Sequence, residues 1–311
     1  MRPVFKSGNR QGAFSEQKRR ENPMAMLPNR RIWTWFEGEW QEGNVPIMGA
    51  ADHGTWLGTM VFDGARAFEG VAPDLEPHCA RINHSAIVMG LKPTMATGKM
   101  VELAREGIGK FAKDAQIYIR PMYWSREAGR TAVDANPDST AFALCLEEAT
   151  LGTGAGFTVT TTQYTRPTLS TNLVNAKASC LYPNNARMLR EAQEKGFGNA
   201  IVCDPLGNVA ETATSNIFMV KNGEVFTPVL NGTFLNGVTR QRVIRLLRDA
   251  GLKVWETTLT LDDFRVSDEM FSTGNYSKVV PITAFDSHQP GPGPITARAR
   301  ELYWEWAHQN G

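Results

Sequence analysis

The spacing of apolar residues changes period many times along the chain, and the order of those changes outlines a fold. From Arg31, the run R-I-W-T-W-F-E-G-E-W-Q-E-G places aromatics between polar residues around two Glu-Gly turns, which predicts a β-hairpin. His53 to Phe68 is punctuated by glycines and ends in a strand. Leu75–Met89 has a helical pattern. A second helix is expected from Lys99 to Ala112, with Val101, Ala104, Ile108 and Phe111 on one face. Strands are expected at Gln116–Trp124 and Thr140–Leu146. The second half opens with the β-branched run F-T-V-T-T-T at Phe157. A helix then runs from Pro183 to Lys195, with proline in its first turn and Gly196 beyond its end. Strands are predicted at Ala200–Cys203 and Ile217–Val220, the latter turning through Asn222-Gly223 into Val225–Thr227. A helix over Thr239–Ala250 stops at Gly251. Strands near Lys253–Thr258 and Glu269–Ser272 and a helix over Thr296–His308 complete the pattern. Runs of strands and runs of helices predict an α+β fold.

The length of 311 residues accommodates two domains. The expected division is a polar N-terminal arm over 1–27, a smaller α+β domain over 28–146, a linker over 147–156 and a larger domain over 157–311. The linker, E-E-A-T-L-G-T-G-A-G, contains a glycine string of the dinucleotide-binding kind. That motif requires a helix directly after it, and a strand-like run follows instead, so the dinucleotide reading fails.

Composition narrows the function. A formal net charge of +1 gives no electrostatic reason to expect nucleic acid or an anionic membrane as a partner. No apolar run approaches the ~20 residues of a membrane span. The arm lacks the apolar core of a secretory signal. Cys79, Cys145, Cys180 and Cys203 are scattered and without C-x-x-C spacing, which predicts reduced thiols and a cytoplasmic location. The five histidines have neither metal-ligand spacing nor companion cysteines, so no metal is expected.

The chemistry concentrates between Asn175 and Phe218. Lys177 stands among small residues in N-A-K-A-S-C-L-Y, and Glu211 follows in A-E-T-A-T-S-N-I-F, just beyond a short strand. An amine can hold an aldehyde cofactor as a Schiff base, and a carboxylate can keep a pyridine ring protonated as an electron sink. This ordered pair resembles the centre of the class IV aminotransferases, most closely the branched-chain group. The resemblance runs from Arg31 to the C-terminus and implies a two-domain fold of type IV with pyridoxal 5'-phosphate between the domains. It also implies a homodimer whose pockets are completed across the interface. Its substrates would be an amino donor and a 2-oxo acid such as 2-oxoglutarate.

Residue by residue, the resemblance implies that Lys177 is the catalytic lysine and Glu211 the pyridine partner. Tyr182 would meet the phenolic oxygen, and Arg166 would support the site. V-F-D-G-A-R-A-F resembles a segment that puts Arg66 on the phosphate. L-N-G-V-T-R adds Val238 and Thr239 at a helix N-terminus, itself an anion cup. M-F-S-T-G-N-Y-S adds Thr273, Gly274 and Asn275 from a turn. I-Y-I-R-P resembles the branched-chain strand in which Tyr118 and Arg120, on one face, line the substrate pocket. A guanidinium in an apolar pocket needs an anionic partner, which a dicarboxylate acceptor would supply.

The departures also fall in the substrate pocket. The family's H-Y-G is Trp56-Leu57-Gly58 here, leaving Trp56 in place of the usual residues. Asn275 and Tyr276 replace small residues near the substrate carboxylate. These exchanges keep open a D-amino-acid or (R)-amine transaminase. A lyase of the aminodeoxychorismate type and a non-catalytic cofactor-binding protein are further alternatives.

Overall fold

The computed structural model describes residues 30–311, so the arm over 1–27 lies outside the described residues. The chain opens with β1 (Ile32–Phe36) and β2 (Glu39–Glu42), the predicted hairpin, followed by the short α1 (His53–Leu57). Next come β3 (Met60–Phe62) and β4 (Ala65–Ala67), then α2 (Leu75–Val88) and α3 (Thr97–Ile108), and finally β5 (Ile117–Ser125) and β6 (Thr140–Glu148). These strands form one antiparallel sheet in the order β2-β1-β6-β5-β3, with β4 also on β5. Glu147 and Glu148, expected in the linker, instead end β6. Helix α2 turns Leu75, Cys79, Ile82 and Ala86 onto the sheet at helical spacing, and α3 adds Met100, Leu103 and Ala104.

Strand β5 positions part of the site. Ile117 and Ile119 are buried, while Tyr118 and Arg120 share the opposite, half-buried face. A proline within a sheet normally removes a ladder bond. The Pro121 carbonyl accepts from the Asp63 amide at 3.1 Å, which turns the proline nitrogen towards the break between β3 and β4, where no ladder bond is lost. Gly64 occupies that break. A Cβ there would collide with the Tyr118 hydroxyl, so glycine makes room for the tyrosine.

The second half contains β7 (Phe157–Thr161), α4 (Tyr182–Glu194), β8 (Asn199–Cys203), β9 (Val209–Thr212), β10 (Asn216–Lys221) and β11 (Glu224–Pro228). It continues with α5 (Val238–Asp249), β12 (Val254–Thr257), α6 (Leu261–Arg265), β13 (Glu269–Gly274), β14 (Lys278–Phe285) and α7 (Pro294–Asn310). The mixed sheet runs β12-β11-β10-β13-β14-β7-β8-β9. Strand β10 shows why both faces are covered: Phe218 and Val220 pack with α5 and α7, and Ile217 and Met219 pack with Phe264 of α6. The sequence pattern missed α1, α6, β9 and β14. Glu211 therefore lies inside a strand, not beyond one.

The segment carrying Lys177 follows β7 in sequence but docks on the first half. Ala176 and Ala178 belong to that half's apolar core, and Ala178 bridges Val61 of β3. Lys177 is thus held at the seam between the two sheets.

Candidate active site

Two backbone bonds fix Lys177. Its amide donates to Ser85 Oγ at 3.1 Å, and its carbonyl accepts from the Phe62 amide at 3.1 Å. The side chain is half-buried, with Nζ donating to Tyr182 Oη at 2.7 Å and lying 5.0 Å from the Phe62 ring centre. Burial works against the ammonium, but Tyr182, Asp63 and Tyr118 outweigh it and raise the lysine above its ordinary value. Pro183 sits in the first turn of α4, where its missing donor costs nothing, and the helix start presents the Tyr182 hydroxyl to the lysine.

Across the cavity, Glu211 is buried between two donors. Arg166 approaches one carboxylate oxygen at 3.1 Å, and Asn216 Nδ2 donates to the other at 3.2 Å. Arg166 is itself held by the Thr212 and Ala213 carbonyls and by Asn185 Oδ1. Burial pushes the Glu211 carboxyl up, and Arg166 and Lys177 pull it back. An amine and a carboxylate thus face one cavity from different elements, each with its own orienting partner.

A third side of the same cavity is rich in donors. Gly237, Val238 and Thr239 line it at the start of α5, where amide groups have no partner within the helix. Thr273, Gly274 and Asn275 line it from the end of β13. Thr273 Oγ1 and Asn275 Nδ2 are buried without a hydrogen-bond partner among the described residues. Orphaned buried donors beside a helix N-terminus suit a bound anion. This donor set, with Lys177 and Glu211, fits a phosphorylated pyridine aldehyde.

The structure brings together Lys177, Tyr182, Glu211, Val238, Thr239, Thr273, Gly274, Asn275 and Tyr118 on one cavity. It leaves Arg66 off it. The Arg66 guanidinium is buried, with its two terminal nitrogens donating to the carbonyls of Ala149, Thr150 and Tyr276 and its Nε without a partner among the described residues. Arg81 lines the cavity instead, in a bidentate pair with the buried Asp63, which also bonds His78 Nδ1 at 2.7 Å. Burial alone would push the Asp63 carboxyl up, but Arg81 and His78 hold it well below the carboxylate range. In the sequence, Arg81 is an ordinary charged residue on a helix, and only its position three residues after His78 could have singled it out.

Arg120 also differs from expectation. It is already paired with Glu147, which binds Arg30 at 3.1 Å as well. Arg120 lines an adjoining depression with Met60, Phe62, Met122, Ser179 and Tyr182. The guanidinium therefore has an anionic partner within the chain. Trp56 is exposed and edge-on to His53, outside this chain's cavity. Tyr276 is likewise outside it, with its ring against Arg66.

The model of the family described as amino-transferase class IV matches residues 60–285. The branched-chain-amino-acid aminotransferase of Pseudomonas aeruginosa is 29% identical over 285 residues, 87% of this chain and 91% of that protein. An aminotransferase from Brucella abortus, solved bound to pyridoxal phosphate, is 62% identical with a TM-score of 0.89, covering 89% of this chain and 99% of that one. A T.th. branched-chain amino acid aminotransferase, solved with N-(5'-phosphopyridoxyl)-L-glutamate, is 27% identical with a TM-score of 0.81, over 90% of this chain and 95% of that one. With the family model spanning most of both halves and the seam between them, the chain belongs to the class IV aminotransferases.

Proposed function

We propose that this aminotransferase moves an amino group between an amino acid with an apolar, branched-chain-like side chain and a 2-oxo acid, with Lys177 as its catalytic lysine. The cavity that gathers Lys177, Tyr182 and Glu211 beside orphaned anion donors carries this reading. Pyridoxal 5'-phosphate, the cofactor, supplies an aldehyde to take up the amino group and a ring to delocalise the electrons left on the substrate carbon. Lys177 holds the aldehyde and then shuttles a proton to and from the substrate carbon. Tyr182 orients its amine. Glu211 keeps the ring nitrogen protonated, with Arg166 favouring the ionised carboxylate against its burial. Thr239, Val238, Thr273, Gly274 and Asn275 receive the phosphate, and Arg81 takes the cationic role first expected of Arg66.

The apolar lining of Met60, Phe62 and Met122, beside an already neutralised Arg120, supports an apolar donor side chain. The phosphopyridoxyl-glutamate bound by the T.th. relative supports glutamate and 2-oxoglutarate as the second pair. A D-amino-acid or (R)-amine preference is the second reading, favoured by Leu57 where the family carries a tyrosine. We take the protein to be a cytoplasmic homodimer, in which the exposed Trp56 reaches a pocket across the interface. A donor–acceptor panel with both enantiomers tests the substrate class. Turnover of L-leucine or L-isoleucine with 2-oxoglutarate is expected, and activity confined to D-acids or amines overturns the proposal. Light scattering should give twice the chain mass.

A further inference from the structure

Lys278 is a buried lysine that the proposed reaction does not use. It opens β14 at a backbone φ of 62°, a left-handed conformation uncommon for a side-chain-bearing residue, and is 0% exposed. Its Nζ donates to Asn275 Oδ1 at 2.8 Å. An ammonium has three donors and no acceptor, so the amide atom facing it must be the oxygen. The amide nitrogen of Asn275 is thereby turned away from Lys278, and it is one of the two orphaned donors on the β13 side of the cavity. A side-chain amide left to itself could equally present its oxygen, which would repel an anion.

We infer that Lys278 is a positioning residue, which locks the Asn275 amide so that its NH2 group faces the cofactor phosphate. The inference rests on the reading that places the phosphate beside Thr239 and Asn275. The surroundings of Lys278 fit this role. Arg66 fastens the same turn through the Tyr276 carbonyl, and Arg300 does so through the Ser277 carbonyl at 3.4 Å while also bonding the Val279 carbonyl of β14 at 2.8 Å. The charged and titratable groups facing Lys278 are Asp74 just before α2, His78 of α2, Arg66 of β4 and Tyr303 of α7, whose ring centre is 5.8 Å from Nζ. Burial pulls the ammonium down to about 7, with Asp74 opposing and Arg66 adding to the shift. A neutral amine has a lone pair and can accept from the Asn275 nitrogen, which releases the lock. A bound dianion favours the charged form, so phosphate-dependent affinity should fall as pH rises through 7 towards 9.

The test uses the cofactor-free full chain with pyridoxamine 5'-phosphate and pyridoxamine, whose ratio of dissociation constants isolates the phosphate without covalent capture. Lys278→Met should reduce that ratio by about tenfold, the loss of one charge-assisted donor. Lys278→Gln keeps a neutral donor to Asn275 and should retain the wild-type ratio at pH 7 while losing its decline at higher pH. A Lys278→Met protein that melts normally and keeps the full ratio overturns the inference. If Lys278→Met does not fold, a wild-type pH profile in Lys278→Gln overturns it. Thr239→Val and Arg81→Met separate the two layers. If neither lowers the ratio, the phosphate lies elsewhere and the functional reading fails too. If both lower it and Lys278→Met does not, only the role of Lys278 fails.

Discussion

Replacing Glu211 by Gln probes the centre of the site with little change of shape. The carboxylate is ion-paired with Arg166 at 3.1 Å on one side and accepts from Asn216 at 3.2 Å on the other. A glutamine amide has one acceptor atom, so whichever way it turns, a donor meets a donor. That costs about 1–3 kcal/mol of stability, towards the low end because Arg166 keeps Asn185 and two carbonyls and Asn216 keeps the Leu235 carbonyl. The effect on chemistry should be larger. A carboxylate about 3 Å from a protonated ring nitrogen is worth roughly 5 kcal/mol at an effective dielectric constant of 20. In the variant that attraction is gone and Arg166 stays, uncompensated, on the same side. Allowing for relaxation and residual solvent, a barrier increase of about 3–5 kcal/mol corresponds to roughly a 10²- to 10⁴-fold slower half-reaction. Single-turnover absorbance with an amino donor, on cofactor-saturated protein, reads this directly. A folded Glu211→Gln protein reacting at the wild-type rate refutes the assignment of Glu211 as pyridine partner.

Borohydride reduction of the holoenzyme should attach the cofactor to Lys177, and Lys177→Ala should retain cofactor non-covalently while losing transamination at least about 10³-fold; label on another lysine in the peptide map refutes this. Glu147→Gln frees the Arg120 guanidinium, so the preference for 2-oxoglutarate over pyruvate should rise about tenfold, roughly 1–2 kcal/mol once solvent screening at the half-buried arginine is allowed for. An unchanged acceptor ratio means that Arg120 serves the first sheet alone. Burial pulls Lys278 down to about 7 in the folded chain, against 10.5 for the ordinary lysine. Between those values the unfolded chain binds a proton that the folded chain does not, so this group makes stability rise with pH. Melting curves at pH 7, 8 and 9 should show a weaker rise in Lys278→Met than in the wild type.

What could be read from the sequence was whatever depends on local order. The hairpin and helices α2, α4, α5 and α7 are each coded by neighbours in the chain, whereas Val238-Thr239 and Thr273–Asn275 are singled out as donors only by the resemblance. What escaped was set by distant partners. Strand β9 is four residues long and fully buried, too short for a period to register, yet it aims Glu211. Arg66 closes an apolar strand, as an anion-binding arginine would, and nothing in the pattern announces the carbonyls of Ala149, Thr150 and Tyr276 that its terminal nitrogens bond. Glu147 looked like the start of a flexible linker until β6 extended through it to Arg120. For Arg66 and Glu147 the deciding contact lies far along the chain, a distance over which pattern alone carries no pairing information.

The same long-range contacts explain why a cavity assembled from two halves can hold its groups in register. The Lys177 backbone hangs on Phe62 and Ser85 of the first half, while Glu211, Thr239 and Asn275 belong to the second. Their separation is therefore only as well defined as the seam. That seam is fastened by buried charges. Arg66 of β4 reaches the Tyr276 carbonyl, and Asp74 at the start of α2 accepts from Arg242 of α5 at 2.7 Å and from Tyr303 of α7 at 3.2 Å. An apolar seam of the same area would hold as firmly but could slide, since apolar contact is non-directional. Directional bonds to single carbonyl and carboxylate oxygens permit one register, and positioning reacting groups within a fraction of an ångström requires that. Arg66 thus acts on the anion site indirectly, by fixing where the turn that carries Asn275 can sit.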